Sequence, residues 1–553
     1  MTYSSEFKKI YVLLFYAATV TASPAQTFNQ WVVFDGFDGI SPNSVVQGVD
    51  GNFYGTAIEG GSPGNNICPQ EYGCGTAFMV NQQRQLKKLH DFCNQGGCPD
   101  GEEPGELILG VDGNFYGVTT LGGTGSGTAF KITPTGTLTT LQSFDGLNGD
   151  EPFGPLVQGT DGNFYGTTGL GGEGGAGAVF RMRPDGEITT LYSFDQYGPS
   201  GSSPNAGLVE ATDGNFYGTA IFGGDPACNA PYGCGTVFKI KSNGNLTVLH
   251  KFEFSDGAWP NGGMVQAADG NLYGTAQSGG TNCPPPYGCG TIFKITPAGN
   301  LAVLHSFNQI DGNGPYAMVQ GSDDNFYGIT LQGGPGYGTA FEITPGGALT
   351  VLHGFDQSDG SPDGLMQATT GTFYGAASGG GFYRDGTLFS LDVGLGPFVS
   401  LIRDAAKVGD GEGILGQGFT GATKVSFHGT HAEFKAVSDT LIKAAVPAGA
   451  TTGYVTVTTP SGTLKSNKPF RVTPQLLSFD PPSGPVGAQV TITGVSLTQT
   501  QGVGFGNQVP SQFTVNSDTQ VTAIVPAGAK KGPIGIQTLG GKAISSTVFT
   551  VTQ

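Results

Sequence analysis

Asp161-Gly162-Asn163-Phe164-Tyr165-Gly166 recurs along the chain, and that recurrence sets the architecture. The same six residues begin at Asp50, Asp112 and Asp213; Leu272 replaces the Phe in the copy from Asp269, and degenerate copies begin at Asp323 and Thr370. The copies stand 47 to 62 residues apart, a period that signals a repeat architecture. Within each hexapeptide the Asp-Gly pair supplies the positive φ of a tight hairpin turn. A short strand such as Leu156 to Gln158 therefore folds back into Asn-Phe-Tyr-Gly-Thr. Downstream, Gly-Thr-x-Phe-x-Ile recurs (Gly127 to Ile132, Gly235 to Ile240, Gly290 to Ile295), followed by a Pro/Gly turn such as Pro134-Thr135-Gly136. Leu-Thr-x-Leu-His-x-Phe, as in Leu246 to Phe252, closes the unit. Each unit reads as a meander of four strands, called a, b, c and d in chain order.

Four short strands cannot bury both faces alone, and four-stranded units of this size stack as propeller blades. Residues 30–35, Gln-Trp-Val-Val-Phe-Asp, have the pattern of a strand d but precede the first a–b pair, while the seventh copy stops after strand c, Gly386 to Leu391. The reading is an all-β chain with a seven-bladed β-propeller over residues 26–393, closed by that N-terminal strand, which removes an open sheet edge. The sixth and seventh copies depart from Asp-Gly, which predicts looser hairpins there. Gly makes up 97 of 553 residues and charged residues only 12%, which argues against long helices. Lys+Arg 24 against Asp+Glu 42 gives a net charge of −18. Such a surface repels phosphate backbones and anionic lipid, so nucleic acid and acidic membrane are poor partners.

The hexapeptides and the Gly-Thr-x-Phe-x-Ile segments, across about residues 30–393, resemble the GloVer tandem-repeat family of exported bacterial proteins, a resemblance that implies no particular activity. Beyond residue 393 the composition turns to Thr/Val-rich segments. Ser438-Asp439-Thr440 through Ala450 recurs, shifted by 79 residues, as Ser517-Asp518-Thr519 through Ala529. Two small β-sandwiches, residues 394–473 and 474–553, fit this repeat. Pro481-Pro482-Ser483-Gly484-Pro485 followed by Val490-Thr491-Ile492-Thr493-Gly494 resembles the opening of the IPT/TIG immunoglobulin-like domain, and the first module resembles a degenerate copy. The resemblance implies an interaction or spacer role.

At the N-terminus, Lys8 and Lys9 precede the apolar run Ile10 to Val20 and small residues around Ala22 and Ala25. Residues 1–25 thus read as a secretory signal peptide, too short for a membrane span, and no later apolar stretch reaches spanning length. The mature protein is expected outside the cytoplasm: secreted, on the cell surface or in the periplasm. In that setting the eight cysteines read as four local disulfides, Cys68 with Cys74, Cys93 with Cys98, Cys228 with Cys234 and Cys283 with Cys289.

Every cysteine falls in a b–c or d–a loop. Those loops share one face of the disc if the a–b and c–d turns share the other, and variable loops over a rigid scaffold are where binding resides. The tight-turn face is expected to be structural, its Asp-Gly-Asn sites being turns and not metal sites. The loop face carries Tyr72, Phe153, Phe222, Tyr232, Trp259, Tyr287, Tyr316, Tyr337, Phe382 and Tyr383 beside acids that include Asp38, Asp100, Glu102, Asp256, Asp311 and Asp359. Rings stack on sugar faces or anchor a protein partner, and carboxylates accept hydroxyl hydrogen bonds. The chosen ligand-binding candidates are Tyr72, Tyr232, Trp259, Tyr287, Tyr316, Asp256 and Asp311.

No catalytic constellation emerges. His90, His250, His305 and His353 share one strand-d position, far from any central channel, and Gly60-Gly61-Ser62-Pro63-Gly64 lacks the strand-to-helix setting of a nucleophile elbow. Strand a carries Gln47, Gln158, Gln266, Gln320 and Gln367, with Leu109 and Glu210 in the other two copies; these amides are expected to satisfy backbone groups between adjacent blades. The expected function is non-enzymatic binding or adhesion toward a glycan or an extracellular protein, with no cofactor and no metal. A propeller carbohydrate-active enzyme, hydrolase or lyase, is the alternative, and a structural envelope protein the third.

Overall fold

The computed structural model describes residues 26–62, 73–284, 287–506 and 508–553. It is built of strands; a single 3-10 turn, Phe419–Gly421, is the one helical element among the described residues, and no helix there is long and apolar enough to cross a membrane.

Residues 27–392 form seven antiparallel sheets, each with strands in the order a-b-c-d. In sheet 1 these are Ile40–Gln47, Phe53–Glu59, Thr76–Val80 and Leu86–Asp91. Sheets 2 to 7 follow along the chain, with strands b at Phe115–Leu121, Phe164–Thr168, Phe216–Ala220, Leu272–Ala276, Phe326–Gln332 and Phe373–Ser378. Strand d of sheet 7 is the N-terminal segment Thr27–Val33, paired antiparallel with Thr387–Asp392 from Thr27 opposite Asp392 to Val33 opposite Thr387.

The recurring residues make the contacts between sheets. Successive side chains of a strand point to opposite faces, so the Phe and Tyr of each hexapeptide serve two different neighbours. The Tyr ring of one strand b stacks on the Phe ring of the next: Tyr54 on Phe115 at 4.2 Å, Tyr165 on Phe216 at 3.9 Å, Tyr327 on Phe373 at 4.2 Å. Tyr374 of sheet 7 meets Phe53 of sheet 1 at 4.4 Å. A second set joins the Phe after each strand d to the strand-c Phe of the following sheet, from Phe92–Phe130 at 5.2 Å to Phe34–Phe78 at 5.0 Å, which again links the last sheet to the first. These rings are fully or almost fully buried, apart from the half-buried Tyr374. The glycine ending the hexapeptide is required by close approach: a Cβ on Gly218 would lie 2.6 Å from Cζ of Phe238, and on Gly375 2.3 Å from Cζ of Phe389. The repeats are β-propeller-like.

The Asp of the hexapeptide ties its turn. Asp161 Oδ1 accepts from Asn163 N–H at 3.0 Å, while Oδ2 accepts from Asn163 Nδ2 at 2.8 Å and from the Tyr165 hydroxyl at 2.8 Å. The sixth hairpin is no looser than the others, contrary to expectation. Asp324 occupies the left-handed position at φ 71°, and Asp323 keeps the bonds to Asn325 and Tyr327. In the seventh, Gly371 retains the turn and Tyr374, without an Asp, packs on Trp31 at 4.8 Å.

Two further modules follow. Each sets a four-stranded sheet against a five-stranded one around its own apolar core, the first around Phe419, Phe427, Ile442 and Phe470, the second around Ile492, Phe505, Val521 and Phe549. The modules are joined by Gln499, which accepts from Thr452 N–H at 2.7 Å and donates to Thr452 O at 3.1 Å.

Candidate functional site

Four of the five strand-a glutamines bridge neighbouring sheets, while Gln320 donates within its own hairpin to Asp324 O. Gln158 Oε1 accepts from Val111 N–H at 3.0 Å, Gln266 Oε1 from Thr212 N–H at 2.8 Å, Gln367 Oε1 from Ser322 N–H at 2.9 Å, and Gln47 Oε1 from Thr369 N–H at 2.9 Å, which joins sheet 1 to sheet 7. Glu210 takes the same part, accepting from Thr160 N–H at 2.9 Å and its hydroxyl at 2.7 Å. Its exchange for Gln has a cause. Arg471 of the first C-terminal module reaches this sheet, its guanidinium 4.0 Å from Glu210 and donating to Ala211 O at 3.3 Å.

That module covers the tight-turn face. Thr440 Oγ1 donates to Val49 O at 2.8 Å, Gln417 Nε2 to Thr369 Oγ1 at 2.9 Å, and Phe398 N–H to Thr369 O at 3.1 Å, all at a–b turns. Residues 400–405 close that end of the central channel, where a cavity of about 590 Å³ is lined by Val46, Leu109, Val157, Val319, Met366 and their neighbours. The tight-turn face is therefore a docking platform as well as a set of turns.

Around the channel, the residues after the Pro that precedes strand a bring together three groups absent from the sequence-based candidates or misplaced among them. Glu106 (sheet 2) and Asp363 (sheet 7) are half-buried carboxyls with no cation paired to them among the described residues, and Tyr316 (sheet 6) feels both charges. Burial, then the charge of Asp363, pushes the Glu106 carboxyl up to about 7 against a hydrogen bond with Ser44; burial raises Asp363 to about 6. Tyr316 thus lies half-buried within strand Asn313–Gln320, under the charges of Glu106 and Asp363, and not on an exposed loop.

On the loop face, Asp256 and Asp311 are each engaged by a histidine of their own sheet. Nε2 of His250 and Oδ2 of Asp256 are 2.9 Å apart, and His305 and Asp311 3.0 Å apart. The pairs His90–Asp100 and His353–Asp359, at 2.8 and 3.0 Å, repeat the arrangement. Each Asp also caps backbone of its own loop, as Asp256 Oδ1 does for Glu253 N–H at 2.9 Å and Asp311 Oδ1 for Asn308 N–H at 2.9 Å. Gly257 holds φ 144° beside Asp256, and a Cβ there would sit 2.7 Å from that of Ala276. The carboxylates are thus turned back onto strand d, and the four recurring histidines fasten d–a loops.

The aromatic candidates divide. Tyr287 and Tyr232 are 67% and 46% exposed, whereas Trp259 is half-buried at φ 56°, its ring 6.4 Å from and steeply inclined to that of Phe222. Tyr197, Phe222, Tyr232 and Trp259 form one continuous cluster, with Tyr197 5.4 Å from Tyr232. Tyr72 lies outside the described residues. Among the described residues the four most exposed large apolar side chains, Phe382, Ile310, Leu147 and Tyr287, all stand on this face. Ile310 and Leu147, like Phe37 and Tyr197, come three residues after a buried Phe, so the aligned repeats already carried the signal: an apolar residue inside an Asp/Gly/Asn turn.

A family model described as the Gloeobacter/Verrucomicrobia repeat matches residues 15–230 and 226–431. The chain belongs to this family. No curated protein matches it. Among solved structures, a streptogramin B lyase is similar at 15% identity and TM-score 0.46, over 66% of this chain and 97% of that one. A copper-bound fungal alcohol oxidase of the AA5 family has 13% identity and TM-score 0.44, over 95% and 99%. A surface glycan-binding protein from Prevotella bryantii has 17% identity and TM-score 0.21, over 28% and 39%. At these values no activity passes from them to this chain.

Disulfides rigidify the loops of these Gloeobacter/Verrucomicrobia repeats. Cys93–Cys98, Cys228–Cys234 and Cys283–Cys289 are bonded as expected, and Cys74 is disulfide-bonded while Cys68 lies outside the described residues.

Proposed function

We propose that the chain is an exported seven-bladed propeller, closed by Thr27–Val33 and followed by two immunoglobulin-like modules of the IPT/TIG kind, whose loop face binds a glycan or an extracellular protein without catalysis. One observation carries the reading: the most exposed apolar side chains gather on the loop face, while the opposite face is taken by the first module. Exposed rings beside uncharged loop backbone suit sugar faces and protein partners alike. The Tyr197–Phe222–Tyr232–Trp259 cluster and Tyr287 are its anchors.

The channel carboxyls favour a second reading, a carbohydrate-active enzyme. Two acids with raised and unequal proton affinities are what acid–base cleavage of a glycosidic bond needs. Glu106, nearer neutrality, would be the proton donor and Asp363 the base. A polysaccharide panel incubated with the mature protein, scored for both retention and released ends, separates the two. Retention lost in Tyr232→Ala and Tyr287→Ala, with no product, supports binding. Products abolished by Glu106→Gln establish the enzyme, and neither retention nor products, together with no partner in pull-downs, overturns both.

A further inference from the structure

We propose that the cleft between the tight-turn face and the two C-terminal modules is a second binding site, one that takes a short peptide by its free termini. A cavity of about 730 Å³ lies there, within the size range of small-ligand pockets. One wall is formed by the a–b turns of sheets 4, 5 and 6 and the other by both modules, so the site lies on the face opposite to the loops and needs the whole chain. Two positions where the ring departs from its own repeat meet at this cavity. Strand a carries Gln in five sheets but Glu210 in sheet 4, and the left-handed turn position is Gly in six sheets but Asp324, at φ 71°, in sheet 6. Glycine holds that conformation without strain and an L side chain does not, so a carboxylate kept there against the local rule points to a function.

The two departures are answered differently. Arg471 stands 4.0 Å from Glu210. Asp324 ties its backbone into the turn, but its carboxylate has no hydrogen bond or ion pair among the described residues. Its charge adds to burial in raising the Tyr454 hydroxyl on the opposite wall, so it lies within reach of the cavity. On the module wall, the nine-tenths buried Arg471 uses one of its five N–H donors, on Ala211 O at 3.3 Å. Lys468, on the same strand Gly462–Val472, has no ion pair among the described residues. The ring wall therefore offers acids and no cation, with Asp213 and Asp269 held in their own turns, while the module wall sets Lys468 and Arg471 against the single acid Asp404. Opposite charges that face each other across a cavity without joining suit a ligand that carries both. The ammonium of a peptide would lie toward Asp324, and its carboxylate would accept charge-assisted hydrogen bonds from Lys468 and the spare guanidinium donors. Gln501, Gln537 and Asn467 line the cavity between them, and their amides donate and accept as a peptide backbone requires.

The test is isothermal titration calorimetry on the full mature chain with trialanine, N-acetyl-trialanine and trialanine amide. Trialanine is expected to bind, and each capped form to bind at least tenfold more weakly, a comparison that needs no variant to fold. Asp324→Gly, which restores the residue of the other six turns, is expected to weaken trialanine at least tenfold and to bind the acetylated peptide as wild type does. Lys468→Gln is expected to weaken trialanine and to bind the amide as wild type does. Tyr232→Ala, on the loop face, is expected to leave trialanine binding unchanged, so this site and the loop-face reading are tested separately. No heat from trialanine in wild type, equal affinities for the three peptides, trialanine binding unchanged in both cleft variants, or its loss in Tyr232→Ala overturns the proposal.

Discussion

Glu106→Gln is expected to stabilise the ring at neutral pH and to leave it unchanged under acid conditions. A carboxyl moved from 4.5 to about 7 resists ionisation in the folded chain by about 3 kcal/mol. Solvent screening of a half-buried group reduces this, so about 1–2 kcal/mol is the amount to look for. The sign follows from proton linkage. Below the unfolded value both states keep the proton and nothing is lost. As pH rises from there to about 7, the unfolded chain ionises while the folded one does not, so stability falls; above it the penalty is constant. Gln preserves the shape and can still bond Ser44 without titrating. The assay is the thermal midpoint of the ring transition for wild type and variant from acid to neutral pH. The midpoints should coincide in acid and separate by a few degrees at neutrality, the variant higher. A difference of one size at every pH, or a variant less stable at neutrality, would refute the assignment of Glu106 as an unpaired channel acid.

Gly218→Ala places a methyl 2.6 Å from the Phe238 ring and is expected to cost about 1–3 kcal/mol through the clash, while Gly214→Ala, with open space around it, is expected to cost about 1–2 kcal/mol through its φ of 74° alone; thermal melts of the two variants check both values. Burial alone would raise Asp269, yet hydrogen bonds from Lys294, Asn271 and Tyr273 bring it down to about 2. Its contribution is complete above the unfolded value of 3.8 and is lost as pH falls through about 2, so Asp269→Asn should be less stable at neutral pH and should converge with wild type in acid. Arg471→Ala leaves Glu210 without its cation; proteolytic cleavage between residues 393 and 399 should quicken while the ring transition moves little, and unchanged cleavage would show that docking rests elsewhere.

Local chemistry and repetition made much of this protein legible in advance. Asp-Gly turns, alternating Phe and Tyr, and the glycine under the strand-c Phe each prescribe a contact that a repeat must make with its neighbours. The strand-a amides are readable as bridges for the same reason, whereas Arg471 beside Glu210, one of the two positions that depart from Gln, comes from a distant segment. Asp256 and Asp311 look free in one dimension, as an Asp beside Gly in a variable loop does; the histidine that each one pairs with lies six residues earlier, and only the turn back at Gly257 or Gly312 brings the two together. Glu106 and Asp363 were overlooked for the converse reason. They are 257 positions apart in sequence and ordinary in composition, and they interact only because sheets 2 and 7 face a common channel. The sequence by itself determined the β class, the repeat unit and the tight turns, since those depend on residues near one another along the chain. Only the tertiary structure decided which carboxylates are occupied, which are stranded in the channel and which face is covered, since those depend on desolvation and on contacts between distant segments.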